Sequence, residues 1–459
     1  MQARDGAASS SRLHCEGRGG GSRSSRRAIA RVIAVALSSA LGAASRAATA
    51  QANHQSYPIG ERATGLGGAF TALADDAAGA WYNAAGLAFA REDSVSVSAS
   101  LYGLVGANHP SSLGRGLDYD YTTLNVIPAS VASLVGFGTR RRDGSRPIVV
   151  AVNVFNPSTY QIDRRVALRE GATALHVSTS DRLIAAGPTV ALRLSDRLGL
   201  GLAVLATLHT LYDNVDLTDL RPMSREQFVQ FTSSTESLSA GLAVAAGVRF
   251  DVRPGLSVGL SARTPSVAVW GSGERFERTV RASEGAPLFV ATNRASLAPA
   301  RLWPAQFRMG AAWVVAERFA LSIDASLSLP LRYDAFRARD GSVARPSVLR
   351  AVCNGALGVE FYPRRTLAFR AGVFSDVSAA PTPLEGDSRI DQVDQVGAAL
   401  TGTWLVRGTS TTVGVVGTYG RARVVGIDVE SSTYGPYAPF VTDGTQWRVY
   451  LVLGGTTRL

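Results

Sequence analysis

The chain has 459 residues, 46% apolar and 18% charged, with 47 glycines and a formal charge of +11. Glycines without a fixed period exclude a collagen-like chain and point to turns and small strand positions. The basic charge is all arginine, and no basic stripe or recognition element gathers it, so nucleic acid is not an expected partner.

Residues 1–50 read as a leader. Eight arginines against Asp5 and Glu16 put a surplus of six positive charges there. Residues 28–44 form an apolar run behind Arg26-Arg27, and Ala48-Thr49-Ala50 offers a small-x-small cleavage site before Gln51. This order fits an export signal; a mitochondrial-type presequence has a similar composition. Arg31 interrupts the run, which is too short for a good spanning helix. Cleavage leaves Cys353 as the one cysteine, because Cys15 lies in the leader, so no internal disulfide is expected.

Ile59 to Phe89 is a compact stretch rich in glycine and alanine. Leu66, Phe70, Leu73, Trp81, Leu87 and Phe89 supply its apolar side. A short helix is expected over 69–80, with Gly79 weakening its end. Asp75-Asp76 is expected to cap a turn or to pair with arginines, and Asn83 to bond its own backbone in an Asx-type turn. Gly65, Gly67 and Gly68 permit tight backbone passage. No Gly-Lys-Ser/Thr follows them, so they make no phosphate loop.

After about residue 92 the dominant period is two, the strand signal. Leu198, Leu200, Leu202 and Val204 alternate with Gly199, Gly201 and Ala203; Leu256, Val258 and Leu260 alternate with Ser257, Gly259 and Ser261. One face is aliphatic, and the other is glycine, serine and threonine with occasional charge. In a soluble sandwich the apolar faces would meet each other. In a membrane barrel they meet lipid, and the small polar face lines the lumen. Several runs reach the length a tilted strand needs to cross a bilayer.

Strands pair across short turns at Ser195-Asp196-Arg197, Asp251 to Gly255, Ala316-Glu317-Arg318 and Pro363 to Thr366. Between pairs lie longer polar stretches, Asp213 to Glu236, Gly271 to Pro304, Tyr333 to Ser347 and Ser375 to Asp394, which read as loops on the outer side. The fold class is all-β: a transmembrane antiparallel β-barrel, with 14 strands the best even count and registers between 104 and 180 unresolved. His109, Tyr119, Tyr121, Tyr160, Tyr212, Trp270, Trp303, Trp313, Tyr333, Trp404, Tyr419 and Trp447 fall near expected strand ends, as girdle or as ordinary strand residues.

Leader, compact element and barrel pattern together resemble the outer-membrane FadL/OmpP1/TodX family of fatty-acid and hydrocarbon transporters. Ala74-Asp75-Asp76 and Tyr82-Asn83-Ala84-Ala85-Gly86-Leu87 resemble the family's N-terminal hatch, with Ala84 where the family has proline. Leu302 to Gly310 and Leu367 to Ser375 resemble two of its strands. The resemblance implies a signal at 1–50, a hatch at 51–91 inside the lumen, and a barrel at 92–459 in the outer membrane of a Gram-negative bacterium, among lipid and lipopolysaccharide. It also implies passive uptake of hydrophobic small molecules such as long-chain fatty acids. Related hatch-bearing barrels serve secretion or surface assembly, and the motif does not separate the two uses.

An uptake protein needs an apolar cavity with a few polar anchors. The lumen positions supply Arg193, Arg249, Arg263, Arg308, Arg370 and Arg407, able to pair with a carboxylate. Asp251, Asp324 and Glu360 are equally their internal partners. Arg308 and Arg370, with the hatch residues above, are the ligand or gating candidates. His54, His109, His176 and His209 come without a nucleophile motif or metal spacing, so neither an enzyme nor a metal or other cofactor is expected.

Overall fold

The computed structural model describes residues 52–459 apart from 56, 99–100, 128–129, 169–172, 221–225, 286, 316–317, 342–343, 385–389 and 428–438. The leader expected at 1–50, with Cys15, lies outside the described residues. Strand segments run in chain order as β1 (Ser94–Ser98), β2 (Leu101–His109), β3 (Tyr119–Ile127), β4 (Ser130–Phe137), β5 (Ile148–Leu168), β6 (Thr173–Arg193) and β7 (Leu198–Leu220). They continue as β8 (Glu226–Arg253), β9 (Leu256–Arg263), β10 (Val267–Ser283), β11 (Phe289–Pro299), β12 (Gln306–Val315), β13 (Phe319–Ser328) and β14 (Leu331–Ala338). The last are β15 (Ala344–Leu349), β16 (Val352–Arg364), β17 (Leu367–Asp376), β18 (Gln392–Val406), β19 (Thr409–Ile427) and β20 (Pro439–Arg458).

Following the pairings gives a closed ring. β1 pairs β4, and the ladder passes through β5, β6, β7, β8 and β9 to β12. It continues through β13, β16, β17, β18, β19 and β20, which returns to β1 with Ser94 opposite Arg458. All these pairings are antiparallel, and the ring holds 14 strands. The other six segments, β2, β3, β10, β11, β14 and β15, prolong ring strands on one side after a break. Pro265, Pro304 and Pro330 mark three of those breaks, where the missing N–H ends the ladder.

Closure pairs every one of the 14 ring strands on both sides. The aliphatic positions face outward: Leu202, Leu260, Ile323 and Leu400 are 52%, 56%, 57% and 60% exposed. A soluble sandwich would bury them, and only lipid covers such a belt. This places the chain in the outer membrane, crossed by its strands. Phe137, Phe250, Trp313, Phe319, Phe361, Phe369 and Trp404 stand exposed near the short turns and form an aromatic girdle on that side. Of the other aromatics, Tyr212, Trp270 and Tyr419 also face outward, whereas His109, Tyr121 and Trp303 are buried inside.

The long polar stretches are not loops throughout. β7 and β8 are 23 and 28 residues long and stay paired from Leu198–Phe250 to Leu220–Phe228. At about 3.3 Å per residue such strands extend well past a bilayer. Residues 271–299 and 333–347 likewise lie largely in hairpins β10–β11 and β14–β15. These extensions look polar because cross-strand polar pairs replace aliphatic ones. Thr179 donates to Asp213 at 2.7 Å and Thr173 to Asp219 at 2.7 Å, both inside the tube. Ser375 to Asp394 holds the end of β17 and the start of β18, joined by irregular chain.

Candidate functional site

The N-terminal element fills the lumen near the short turns. It contains short helices at Glu61–Gly65 and Gly79–Tyr82 and a 3₁₀ helix at Ala84–Phe89. The helix expected over 69–80 does not form; only its last positions are helical. Ala74 takes a positive φ of 38°, and the backbone on either side bonds outward instead of to itself. Phe70 and Thr71 N–H groups donate to the Asp324 carboxylate of β13 at 2.9 and 2.8 Å. The carbonyls of Thr71 and Ala72 accept from Asn83 Nδ2 at 3.0 Å and Ser257 Oγ at 3.1 Å. Arg249 donates to the Leu73 carbonyl. These bonds satisfy polar backbone in a buried, non-regular segment.

The small residues of the wall are where the plug lies. A Cβ on Gly247 would stand 2.0 Å from Asn83 Oδ1, on Gly201 2.2 Å from the Ala84 carbonyl carbon, and on Gly259 2.3 Å from Thr71 O. On Gly372 it would stand 2.2 Å from Gly67 N. Glycine at these strand positions lets two backbones meet. In the plug, Gly67 and Gly68 take φ of 64° and 85°, the tight passage expected of them. Asn83 caps the 3₁₀ helix by accepting from Ala85 N at 3.1 Å, so its Asx-type role is met with alanine, not proline, at residue 84.

Arginines clamp this plug. Arg62 bonds Asp75 at 2.7 Å and Glu360 at 2.7 Å, and Glu360 also takes Arg370 at 2.6 Å. Glu360 is 1% exposed, so its charge depends on both guanidiniums. Phe89 lies between Arg193 and Arg249, with ring distances of 3.5 and 4.1 Å. Arg263 sits 4.4 Å from the Trp303 ring, which meets Trp81 edge-on at 5.7 Å. Arg407 is not in the lumen. It has a φ of 46° and forms a two-residue turn with Gly408 between β18 and β19, because the turn's twist demands left-handed residues.

The remaining candidates sit within the same body. Leu66, Phe70, Leu73 and Leu87 are buried, with Phe70 edge-on to Tyr82 at 5.7 Å. Asp76 accepts from Ala78 N at 2.9 Å and so caps a turn, whereas Asp75 takes the plug's own Arg62. Arg308 differs from most of the other lumen arginines. Its guanidinium bonds Gln55 at 3.2 Å and Gln306 at 3.1 Å; like Arg263, it is in no ion pair shown among the described residues, whereas Arg193, Arg249 and Arg370 pair with Asp143, Asp251 and Glu360. It lines a polar cavity of about 80 Å³ between plug and wall, with Tyr82, Asp324 and Asn354.

A second cavity lies in the outer half of the barrel. Its volume is about 90 Å³, and Ile162, Leu175, Val177 and Val215 give it an apolar lining. His109 stacks on Tyr119 at 6.2 Å, and both tyrosines of β3, Tyr119 and Tyr121, reach it. Here the wall is incomplete. β4 pairs β5 from Phe137–Ile148 to Val131–Val154, but β3, which prolongs β4, pairs only with β2 among the described residues. β5 bulges between Phe155 and Ser158 as this seam begins. Tyr57 of the plug donates to the Asn156 carbonyl at that bulge. Tyr57 also lines the inner cavity and packs in one cluster with Tyr121 and Ile162. It therefore separates the two cavities.

Solved structures with this arrangement exist. A Pseudomonas aeruginosa FadL homologue superposes with a TM-score of 0.61 at 12% identity, over 88% of this chain and 99% of that one. The P. putida toluene transporter TodX gives 0.62 at 12%, over 88% and 99%, and the monoaromatic hydrocarbon channel CymD gives 0.57 at 12%, over 88% and 98%. The chain has the FadL fold. No family model and no curated protein matches the sequence itself.

Within that fold the sequence motif located the plug, and the alternation located the wall. The residues of the outer cavity went unrecognised: Ser112, Tyr119, Tyr121, Tyr160 and Asp391 were visible only as scattered polar or aromatic positions. The available signal was Tyr119-Asp120-Tyr121, whose two aromatics share a face at strand spacing.

Proposed function

We propose that this protein is a passive channel that takes small hydrophobic molecules through the outer membrane. Solute enters the outer cavity from the external side and leaves sideways at the membrane-side start of the seam between β3 and β5, where β5 bulges between Phe155 and Ser158 beside the lipid-facing Val154. The observation that carries this reading is the apolar cavity set at an unpaired stretch of wall. An apolar solute crosses the hydrated lipopolysaccharide leaflet poorly. A dry cavity that opens toward the membrane interior removes that barrier without any coupled energy source. The clamped plug keeps the same barrel from leaking ions.

The substrate lies nearer to one ring than to an extended long-chain fatty acid. An apolar cavity of about 150 Å³ accepts benzene, so this one, of about 90 Å³, must widen to take a single ring and is far too small for an extended acyl chain. The toluene transporter and monoaromatic channel of the same fold are consistent with that scale. The test fills the cavity. Ile162→Trp and Val177→Trp should abolish uptake of radiolabelled ethylbenzene into vesicles with a lipopolysaccharide outer leaflet, with the barrel still folded by its heat-modifiable gel mobility. Uptake equal to that of the unaltered protein would sink the reading. Failure of the unaltered protein to take up any hydrophobe would favour a structural or secretion-associated barrel.

A further inference from the structure

The outer cavity holds polar atoms that no part of the protein satisfies. Tyr119 Oη and Ser112 Oγ are buried without a hydrogen-bond partner among the described residues, and both residues line the cavity. Ser112 is only 5% exposed. Asp391 lines it too, and its carboxylate accepts a single backbone bond, from Val425 N at 3.2 Å. No arginine is among the described lining residues. Burial pushes the Asp391 carboxyl up to about 7, opposed only by the Val425 backbone bond. The rest of the lining is aliphatic or aromatic, so these three groups mark one polar spot in an apolar chamber.

Each class of ring compound meets that spot differently. A plain hydrocarbon fills the chamber, leaves the Tyr119 and Ser112 hydroxyls without a partner and adds no bond to Asp391. A ring carboxylate brings a second negative charge next to Asp391, with no guanidinium among the described lining residues to receive it. A neutral hydroxyl donates to Asp391 and accepts from Tyr119 or Ser112. Sites built to bond a ligand hydroxyl discriminate strongly against the analogue that lacks it.

Resting on the uptake reading, we infer that the outer cavity selects small neutral ring compounds bearing a hydroxyl, such as alkylphenols, over both the parent hydrocarbon and the matching carboxylate. The juxtaposition of Tyr119, Ser112 and Asp391 at the seam carries this selectivity. Arg308 cannot supply it, because it lines the other cavity, beyond Tyr57.

The test uses three probes of one shape, 4-ethylphenol, ethylbenzene and 4-ethylbenzoate, with the full chain in nanodiscs. Titration calorimetry should show 4-ethylphenol binding at least tenfold tighter than either other probe. Tyr119→Phe should cost the phenol about tenfold and leave ethylbenzene unchanged, a split that general misfolding does not produce. Asp391→Arg should raise 4-ethylbenzoate binding. Equal binding of phenol and hydrocarbon overturns the inference, as does tighter binding of the carboxylate; loss of that carboxylate binding in Arg308→Gln would place it in the inner cavity instead. Absence of binding by all three also overturns it. Uptake into lipopolysaccharide-leaflet vesicles keeps the two readings apart. If all three probes cross equally, selectivity fails and the channel stands. If none crosses, the channel reading itself fails.

Discussion

The two halves of this barrel use their polar residues in opposite ways. Near the short turns, almost every buried charge is spent on holding the plug. Glu360 takes two arginines, Asp324 takes two backbone N–H groups, and Phe89 is held between two guanidiniums. Wall glycines bring the backbones together there. In the outer half no ladder joins β3 to β5 among the described residues, and the Tyr119 and Ser112 hydroxyls line a cavity without a partner there, beside Asp391, which takes one backbone bond. Polar contacts clamp the plug to the wall, with a few atoms such as Arg263 Nε and Asp324 Oδ1 left over among the described residues, whereas the outer hydroxyls line an apolar chamber. The barrel thus combines a rigid seal with a receptive chamber, and Tyr57 is the side chain that touches both.

Breaking the seal should have the larger effect. Glu360→Ala takes from buried Arg370 its carboxylate and leaves Arg62 with Asp75 alone, and should cost about 3–5 kcal/mol, as the loss of one partner from a buried pair does. The expected readout is faster hydrogen exchange across residues 60–90 and new conductance in planar bilayers. Silent bilayers and unchanged exchange would show that the glycine contacts alone hold the plug. A smaller effect is expected from Gly247→Val, whose Cβ falls 2.0 Å from Asn83 Oδ1. Overpacking of this kind costs about 1–3 kcal/mol, read as a lower melting temperature and easier proteolysis of the plug. Gly402→Ala is the control, because its Cβ meets nothing nearer than 3.7 Å. Equal destabilisation by the two would remove plug packing as the reason for the wall glycines.

The fold was largely legible because membrane strands repeat a simple rule. Leu198 to Val204 and Leu256 to Leu260 show it without interruption, and each turns out to be lipid-facing at its aliphatic positions. The rule fails where the strands leave the lipid. From Asp213 to Leu220 the alternation persists inside the tube, where Val215 and Leu217 pack with Leu175 and Val177, but Asp213 and Asp219 pair with Thr179 and Thr173 and interrupt the apolar pattern, so the segment reads as loop. The plug was legible as a motif but not in its local structure. Residues 69–78 have the composition of a helix, yet their backbone groups are claimed by Asp324, Ser257 and Arg249, which lie some 170 to 250 positions away. The six lumen arginines were visible as a class. Which were ion-paired and which were not depended on the plug's position, and Arg407 belonged to a turn. The outer cavity was least legible, because it draws on β2, β3, β5, β6, β7 and β19 at once.

The smallest expected effect concerns pH and the seal. Burial pushes Asp76 up to about 7 from an ordinary 3.8, with neighbouring Asp75 and Glu61 adding to it and Arg62 opposing. A raised carboxyl binds its proton more tightly in the folded plug than in the released one. Its contribution to plug stability is therefore complete below about 3.8 and is lost as pH rises through about 7. Hydrogen exchange over residues 70–89 should quicken modestly between pH 5.5 and pH 8 after correction for intrinsic rates. Asp76→Asn keeps an acceptor for the Ala78 N–H and cannot ionise, so it should flatten that dependence while leaving the plug in place. If the Asn variant shows the same slope, Asp76 is not the group that titrates. The loosening would then belong to the outer chamber, where Asp391 responds over the same range.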